Sequence, residues 1–534
     1  MRLFSLVCLP ILLVGCSGSS STQAPTQGPW FREAAGESGL VFEHNPGAKG
    51  QFVLSEIIGS GAVLLDYDSD GDQDALLLQG SFDGGSQRLY RNNLIPSGKL
   101  NFTDVTKAAG LERTAMGMGV ATGDFNNDGR PDLVVTAYGT NAIFRNNGNG
   151  TFTDVTAESP EVMLKDRWST SATFMDYDRD GWLDLVTLNY LEYSPEIHQK
   201  CSGPTRTDYC TPRAYETHTA HLFRNEQGKF VEMTVKTKLS GGAGPGLGVV
   251  ALDANQDGWM DLFMANDLSA SHLWINLKNG KFEENALQAG TAYGVDGIAK
   301  IGRGAVAGDY DNDGDEDLLV VNGTQEGASL FRNDGSKGFA DISDASGLLG
   351  ATLHFSSFGV VWQDFDRDGW LDVFVANGAI AKPYEQKSLL FRNSAQPGNK
   401  FETVPFEMPA MSGRSAAHGD IDNDGDIDLL LNVNHGKARL LLNETAKRNW
   451  VAVQVDGPGM GEGAKVVVKA AGLPAQTRTL RTGGGYLSAS DARVYFGLGS
   501  SGSIESISLT APGKPAVVQN KPTVNTVVRF TTRP

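Results

Sequence analysis

A nine-residue acidic pattern, DxDxDGxxD or a close variant, recurs seven times along this chain, and no other feature limits its possible folds so tightly. The copies begin at Asp66 (DYDSDGDQD), Asp124 (DFNNDGRPD), Asp176 (DYDRDGWLD), Asp253 (DANQDGWMD), Asp309 (DYDNDGDED), Asp364 (DFDRDGWLD) and Asp420 (DIDNDGDID). Successive starts are 58, 52, 77, 56, 55 and 56 residues apart, so the spacing is regular except for the third interval. Such a period means one supersecondary unit repeated, each copy burying its apolar faces against its neighbours.

The flanks identify the unit. Small and β-branched residues precede several copies (GAVLL, GAVAG, GVVWQ), and a Leu/Val-rich run follows (LLVV, VFVA, LLLN). Short runs of this kind read as strands. A third strand follows in LYRN, IFRN and LFRN, ending at Asn92, Asn146 and Asn225, with similar segments ending at Asn276, Asn333, Asn393 and Asn443. A fourth starts on an aromatic residue at Phe102, Phe152, Phe230, Phe282, Phe339 and Phe401. Four strands per unit make a propeller blade, so the expected fold class is all-β, a seven-bladed β-propeller followed by a small C-terminal β domain. The seventh aromatic segment, Trp30-Phe31-Arg32-Glu33, comes before the first acidic loop. We expect it to add the outer strand of the last blade, closing the ring and leaving no open sheet edge at the seam.

The acidic loops have the chemistry of an oxygen-only metal cage. Position 1 is Asp66, Asp124, Asp176, Asp253, Asp309, Asp364 or Asp420; position 3 is Asp68, Asn126, Asp178, Asn255, Asp311, Asp366 or Asp422. Position 5 is Asp70, Asp128, Asp180, Asp257, Asp313, Asp368 or Asp424, and position 9 is Asp74, Asp132, Asp184, Asp261, Asp317, Asp372 or Asp428. Position 7 (Asp72, Arg130, Trp182, Trp259, Asp315, Trp370, Asp426) offers its backbone carbonyl, and glycine at position 6 permits the sharp turn. Hard oxygen ligands in this number suit Ca²⁺ better than Mg²⁺, so up to seven calcium ions are expected. Without a flanking helical pattern or a Glu at position 12, the loops are not EF-hands. Positions 1, 3, 5 and 9 supply 26 of the 63 acidic residues, leaving 37 against 45 basic ones. The net charge of -18 is therefore a property of the loops and says little about partners.

The N-terminus, Met1 to Gly15, holds Arg2 and a short apolar run before Cys16, and resembles a bacterial lipoprotein signal. Cys16 would then be the lipidated N-terminus, residues 16–29 a flexible tether, and the bacterial cell envelope the location, with lipid as the sole membrane attachment. Of the remaining cysteines, Cys201 and Cys210 form an even pair suited to a disulfide; zinc held with His218 and His221 is the alternative. They lie in the long third interval, where Tyr190, Tyr193, His198, Lys200, Arg206, Tyr209, Arg213 and Tyr215 suit either a sugar- or peptide-binding loop or a structural flap. Trp182, Trp259 and Trp370 are expected to pack between blades. Gly497, Gly499 and Gly502 match GxGxxG, but strand-forming residues follow, which argues against a dinucleotide site. No GxSxG or HExxH element is present, no catalytic residue stands out, and no basic stripe with interleaved aromatics suggests nucleic acid.

The seven loops with their LFRN segments resemble FG-GAP or VCBS repeats, which build integrin-like propellers. Residues 461–469 (GEGAKVVVK), 482–491 (TGGGYLSASD) and 496–499 (FGLG) are similar to the ASPIC/UnbV domain. Together they resemble the cartilage acidic protein family in a bacterial lipoprotein form, which implies calcium binding, an extracytoplasmic location and no established catalytic residue. On this basis residues 30–447 are expected to form the propeller and 448–534 the C-terminal domain. The expected role is a non-enzymatic binding or adhesion module with a protein or glycan ligand. A lectin or polysaccharide lyase on the same scaffold is the alternative.

Overall fold

The computed structural model describes residues 29–531 except 82–84, 195, 203–206, 396–397 and 399. The signal segment, Cys16, the tether as far as residue 28 and Arg206 lie outside the described residues.

Each repeat folds as an antiparallel four-stranded meander. In the first, Ala62–Leu65, Asp74–Leu77, Arg88–Asn92 and Phe102–Asp104 pair in chain order. Five further meanders follow, and Gly413–Gly419, Asp428–Val433 and Arg439–Asn443 provide three strands of a seventh. Its fourth strand is Phe31–Glu33, with Phe31 opposite Asn443 and Glu33 opposite Leu441, as expected from the sequence. The first strands of the meanders lie innermost, each beside the next, and Ala62–Leu65 returns to Gly413–Gly419, so the ring is closed.

Strand alternation explains why the strands are apolar on both faces. Ala62 and Leu64 pack against Leu430 and Leu440 of blade 7, whereas Val63 and Leu65 pack against Val120 and Leu133 of blade 2. Seven such apolar layers separate the seven blades, so the inner strands are buried on both faces. The aromatic residue opening each fourth strand enters the layer shared with the preceding blade, as Phe102 and Phe152 do. Small residues on the inner strands have a steric cause. A Cβ at Gly304 would overlap the carbonyl oxygen of Phe358, and one at Gly61 that of Leu487.

Residues 449–531 form two further sheets. Asn449–Asp456 pairs with Val494–Gly499 and, in parallel, with Val527–Thr531; Lys465–Ala470 pairs with Gln476–Thr479 and Ile504–Thr510. Val451, Val453, Val466, Val468, Phe496 and Ile507 fill the space between them.

The C-terminal segment is not an independent appendage. Its loop of residues 480–493 enters the centre of the propeller and hydrogen-bonds to inner strands of several blades. Gly485 and Ala305 exchange backbone hydrogen bonds of 2.7 and 3.1 Å, and the Ala489 N–H donates to the Ala62 carbonyl at 3.3 Å. Thr482 Oγ1 donates to the Thr122 carbonyl at 2.6 Å, and the Leu487 N–H to Ser171 Oγ at 3.2 Å. Tyr486, fully buried, packs edge-on against Phe358 with ring centres 5.2 Å apart and donates its hydroxyl to the Ile58 carbonyl at 3.0 Å.

Truncating Tyr486 to alanine is expected to destabilise the chain by about 3–5 kcal/mol, the usual loss for a buried aromatic ring. Propeller and C-terminal sheets should melt in one transition, because the loop joins them. Two separate calorimetric transitions, or a loss below about 1 kcal/mol, would contradict that coupling.

Candidate metal centres

All seven acidic loops connect the first strand of a blade to the second, so they gather at one end of the ring, where the C-terminal sheets also sit. They share one hydrogen-bond pattern. In the first loop, Asp66 accepts the N–H groups of Asp70 and Gly71, each at 3.1 Å, and Asp70 Oδ1 accepts the N–H of Asp72 at 3.0 Å. Asp74 accepts the N–H of Tyr67 at 3.1 Å and that of Asn92 at 2.8 Å. The same position-1 and position-9 bonds recur in the remaining six loops, for example at Asp124 and Asp132 and at Asp420 and Asp428. Gly71 has φ of 96°, and the other six position-6 glycines also lie in the left-handed region.

These bonds orient the carboxylates without using all their oxygens. Carboxylate oxygens within 4.8 Å of one another come together from Asp66, Asp68 and Asp70; Asp176, Asp178 and Asp184; Asp309, Asp311 and Asp317; Asp364, Asp366 and Asp372; and Asp420, Asp422 and Asp428. The arginine of the LFRN segment holds the outer oxygens in three blades. Arg91 pairs with Asp68 and Asp70 at 2.7 and 2.8 Å, Arg224 with Asp178 and Asp180, and Arg392 with Asp366 and Asp368. The inner oxygens, Oδ1 of Asp68, Asp311, Asp366 and Asp422, are buried without a hydrogen-bond partner. A buried carboxylate oxygen left alone is costly, and a hard cation among several of them removes that cost. The donor set therefore fits Ca²⁺.

Burial also resists ionisation in the metal-free loops. It pushes Asp132 and Asp261 up to about 8, Asp309 and Asp420 to about 7, and Asp66, Asp124 and Asp176 to about 6. In the loops starting at Asp124 and Asp253 an amide stands at position 3. Asn126 Nδ2 donates to Asp128 Oδ2 at 2.8 Å, and Asn255 Oδ1 accepts the Asp257 N–H at 3.1 Å. With one charge fewer, these two loops should release their ions first on stepwise chelation. Asn126→Asp and Asn255→Asp together should make native mass spectra retain two more ions at intermediate chelator. Identical retention in wild type and variant would refute the ranking.

Two roles escaped the sequence reading. The asparagine closing each third strand ties its own loop to the preceding blade's. Asn146 Nδ2 donates to the Pro131 carbonyl at 3.2 Å and the Tyr67 carbonyl at 2.8 Å, and Asn92 reaches Gln73 and, across the seam, Ile421. The seven-fold repetition of that asparagine was its visible signal. Position 4 adopts the left-handed conformation in every loop and in six of them contacts the following loop, as Asn127 does with the Gly181 carbonyl at 3.0 Å. Its identity varies among Ser, Asn, Arg and Gln, so no motif exposes it.

The other expected features are also placed. Arg179 stacks 4.0 Å from the centre of Trp259, an inter-blade contact of the kind expected for that tryptophan. Cys201 and Cys210 are disulfide-bonded, which removes the zinc alternative, since their sulfurs join each other. His218 lies beside Arg167, and His221 beside Glu232. The aromatic set of the third interval divides. Tyr190 and Tyr193 are buried against Trp168 at 5.1 and 5.4 Å and belong to the core, whereas Tyr209 lines a pocket.

The C-terminal sheets dock directly on the loops. The Gly459 N–H donates to Asp124 Oδ2 at 3.2 Å, the Gly497 N–H to Asp364 Oδ2 at 3.1 Å, and Arg481 pairs with Glu316. An FG-GAP-like repeat family matches residues 66–135, 124–187, 253–320 and 309–375, and the ASPIC and UnbV family matches 456–533. The chain combines FG-GAP repeats with an ASPIC/UnbV domain. Cartilage acidic protein 1 of Xenopus tropicalis is similar, 27% identical over 279 residues, covering 49% of this chain and 40% of that protein. The Homo sapiens protein of the same name is 27% identical over 303 residues, covering 53% and 43%, and the Mus musculus protein 24% over 465 residues, covering 72% and 69%. The chain thus spans about two fifths of the first two relatives. In this FG-GAP and ASPIC/UnbV protein the two regions meet at the acidic loops, so loops, ring and C-terminal sheets form one system.

Proposed function

We propose that this FG-GAP and ASPIC/UnbV protein is a calcium-loaded, non-enzymatic binding or adhesion module, held at the bacterial cell envelope by lipid on Cys16. The observation that carries the calcium reading is the set of buried, unpartnered Oδ1 atoms on Asp68, Asp311, Asp366 and Asp422. The ions would neutralise the crowded carboxylates and hold the seven loops in the geometry on which the C-terminal sheets rest. Nothing in the arrangement requires them to touch a ligand, because one loop supplies most of each cage. The rest of the ring is a rigid frame whose opposite end is free to display loops.

The alternative reading is a lectin or polysaccharide lyase on the same scaffold, and product analysis separates the lyase. Incubating the full, calcium-saturated chain with a panel of polysaccharides should release no unsaturated oligosaccharides. Their appearance, absent when the polysaccharide is incubated alone, would contradict the non-enzymatic reading.

A further inference from the structure

The end of the propeller opposite the acidic loops carries a pocket of about 410 Å³. Four separate stretches build it: the approach to blade 1 (Phe52, Glu56), the disulfide-bearing insertion of blade 3 (Tyr209), and the connections between second and third strands in blade 6 (Lys382, Tyr384) and blade 7 (His435). We propose that this pocket binds a sugar ring of a glycan, with the aromatic rings meeting its C–H faces and the polar tips its hydroxyls. The inference rests on reading the chain as a binding module and names the ligand class for it.

Two chemistries converge in the pocket. Phe52 and Tyr209 lie edge-to-face at 5.3 Å and 70°, and Tyr384 is stacked on His435 at 5.0 Å and 4°, so flat apolar surfaces are held at fixed angles. Polar groups sit beside these rings. The Tyr209 hydroxyl donates to Glu56 Oε2 at 3.1 Å and is also hydrogen-bonded to Tyr384, and the Lys382 ammonium lies 5.9 Å from the centre of the Tyr384 ring. A purely apolar ligand would strand those hydroxyls and charges, whereas a pyranose offers an apolar face and a polar rim together. Lys382, exposed at the rim, favours rings that carry a carboxylate.

Tyr209 is also held in place for the task. Tyr209 adjoins Cys210, whose bond to Cys201 closes the loop, while Tyr190 and Tyr193 anchor its base in the core. His198 hydrogen-bonds both Tyr193 and the Gln51 carbonyl, fixing the insertion to the Phe52 stretch. Rings held in place before binding lose little entropy when a ligand arrives.

The test is binding of the full, calcium-saturated chain to immobilised neutral hexose, N-acetylhexosamine and uronate oligosaccharides. Saturable binding to at least one class is expected. Tyr384→Ala should weaken it by at least about tenfold at unchanged melting temperature, which corresponds to about 1.4 kcal/mol, and Lys382→Ala should weaken uronate binding selectively. Binding to none of the three classes, or binding equal in wild type and Tyr384→Ala, would overturn the proposal. Turnover of a glycan whose binding is lost in Tyr384→Ala would support the pocket while overturning the non-enzymatic reading.

Discussion

Chelating calcium from the folded chain is expected to lower its melting temperature by tens of degrees, or to unfold it at 25 °C. An ion present at about a hundred times its dissociation constant adds about 2.7 kcal/mol, so seven would add about 19 kcal/mol. A folded domain has only about 5–15 kcal/mol of net stability. Without the ions, the buried Oδ1 of Asp311 lies among the carboxylates of Asp309 and Asp317, and that of Asp366 among those of Asp364 and Asp372, with no hydrogen-bond partner.

The pH dependence gives this expectation a sign. In the metal-free chain burial holds Asp132 and Asp261 near 8, and Asp309 and Asp420 near 7, all above the value of about 3.9 for an unfolded aspartate. The folded state therefore binds more protons than the unfolded one. Stability of the chelated protein is fully present below about pH 4 and is lost as pH rises through 7 and 8. Calcium competes with protons for the same oxygens, so the stabilisation it gives grows over that window. Melting curves at pH 5 and pH 8 should show the chelated protein weaker at the higher pH and the calcium-saturated protein no weaker. The opposite slope in chelator would show that the loops do not bury their carboxylates.

Deleting Pro29 to Gly36 should have an effect of similar size by a different route. Trp30 and Phe31 are each 5% exposed and sit in the layer between blades 6 and 7, against Phe365 and Leu441. Losing two buried aromatic side chains costs about 6–10 kcal/mol. The deletion also removes backbone bonds to the last blade, including Ala34 N–H to the Leu440 carbonyl at 2.8 Å and Glu444 N–H to the Trp30 carbonyl at 2.7 Å. It leaves Arg439–Asn443 as an open edge, which invites aggregation. Size-exclusion chromatography and thermal melting of the deletion variant check this, and a monodisperse variant with unchanged melting temperature would contradict closure of the ring.

Much of this architecture is legible in the chain because its signals are local and repeated. Loop, strand, asparagine and aromatic recur in fixed order, and the displaced Trp30 segment supplies the missing strand. The path of residues 480–493 is different in kind. TGGGYLSASD has no periodicity that places it in a channel; only its glycines and Tyr486 hint at close packing. Its partners, from Ile58 to His418, lie between 428 and 72 residues away in sequence, and such pairings leave no mark in a single chain. The insertion was ambiguous for a related reason. Tyr190 and Tyr209 are the same residue type in the same segment, and only the position of Trp168 and the disulfide separates a core ring from a pocket ring.

The same contacts explain why the C-terminal sheets and the acidic loops should respond together. Gly459 and Gly497 donate to the position-1 aspartates of loops two and six, so a change in those cages is felt across the interface.

Counting ions on the purified full chain bears most directly on the claim that the acidic loops are calcium sites. After exchange into micromolar calcium, elemental analysis should find five to seven calcium ions per chain, and magnesium should not replace them. Fewer than one ion per chain, together with circular dichroism and heat resistance that chelation leaves unaltered, would contradict it.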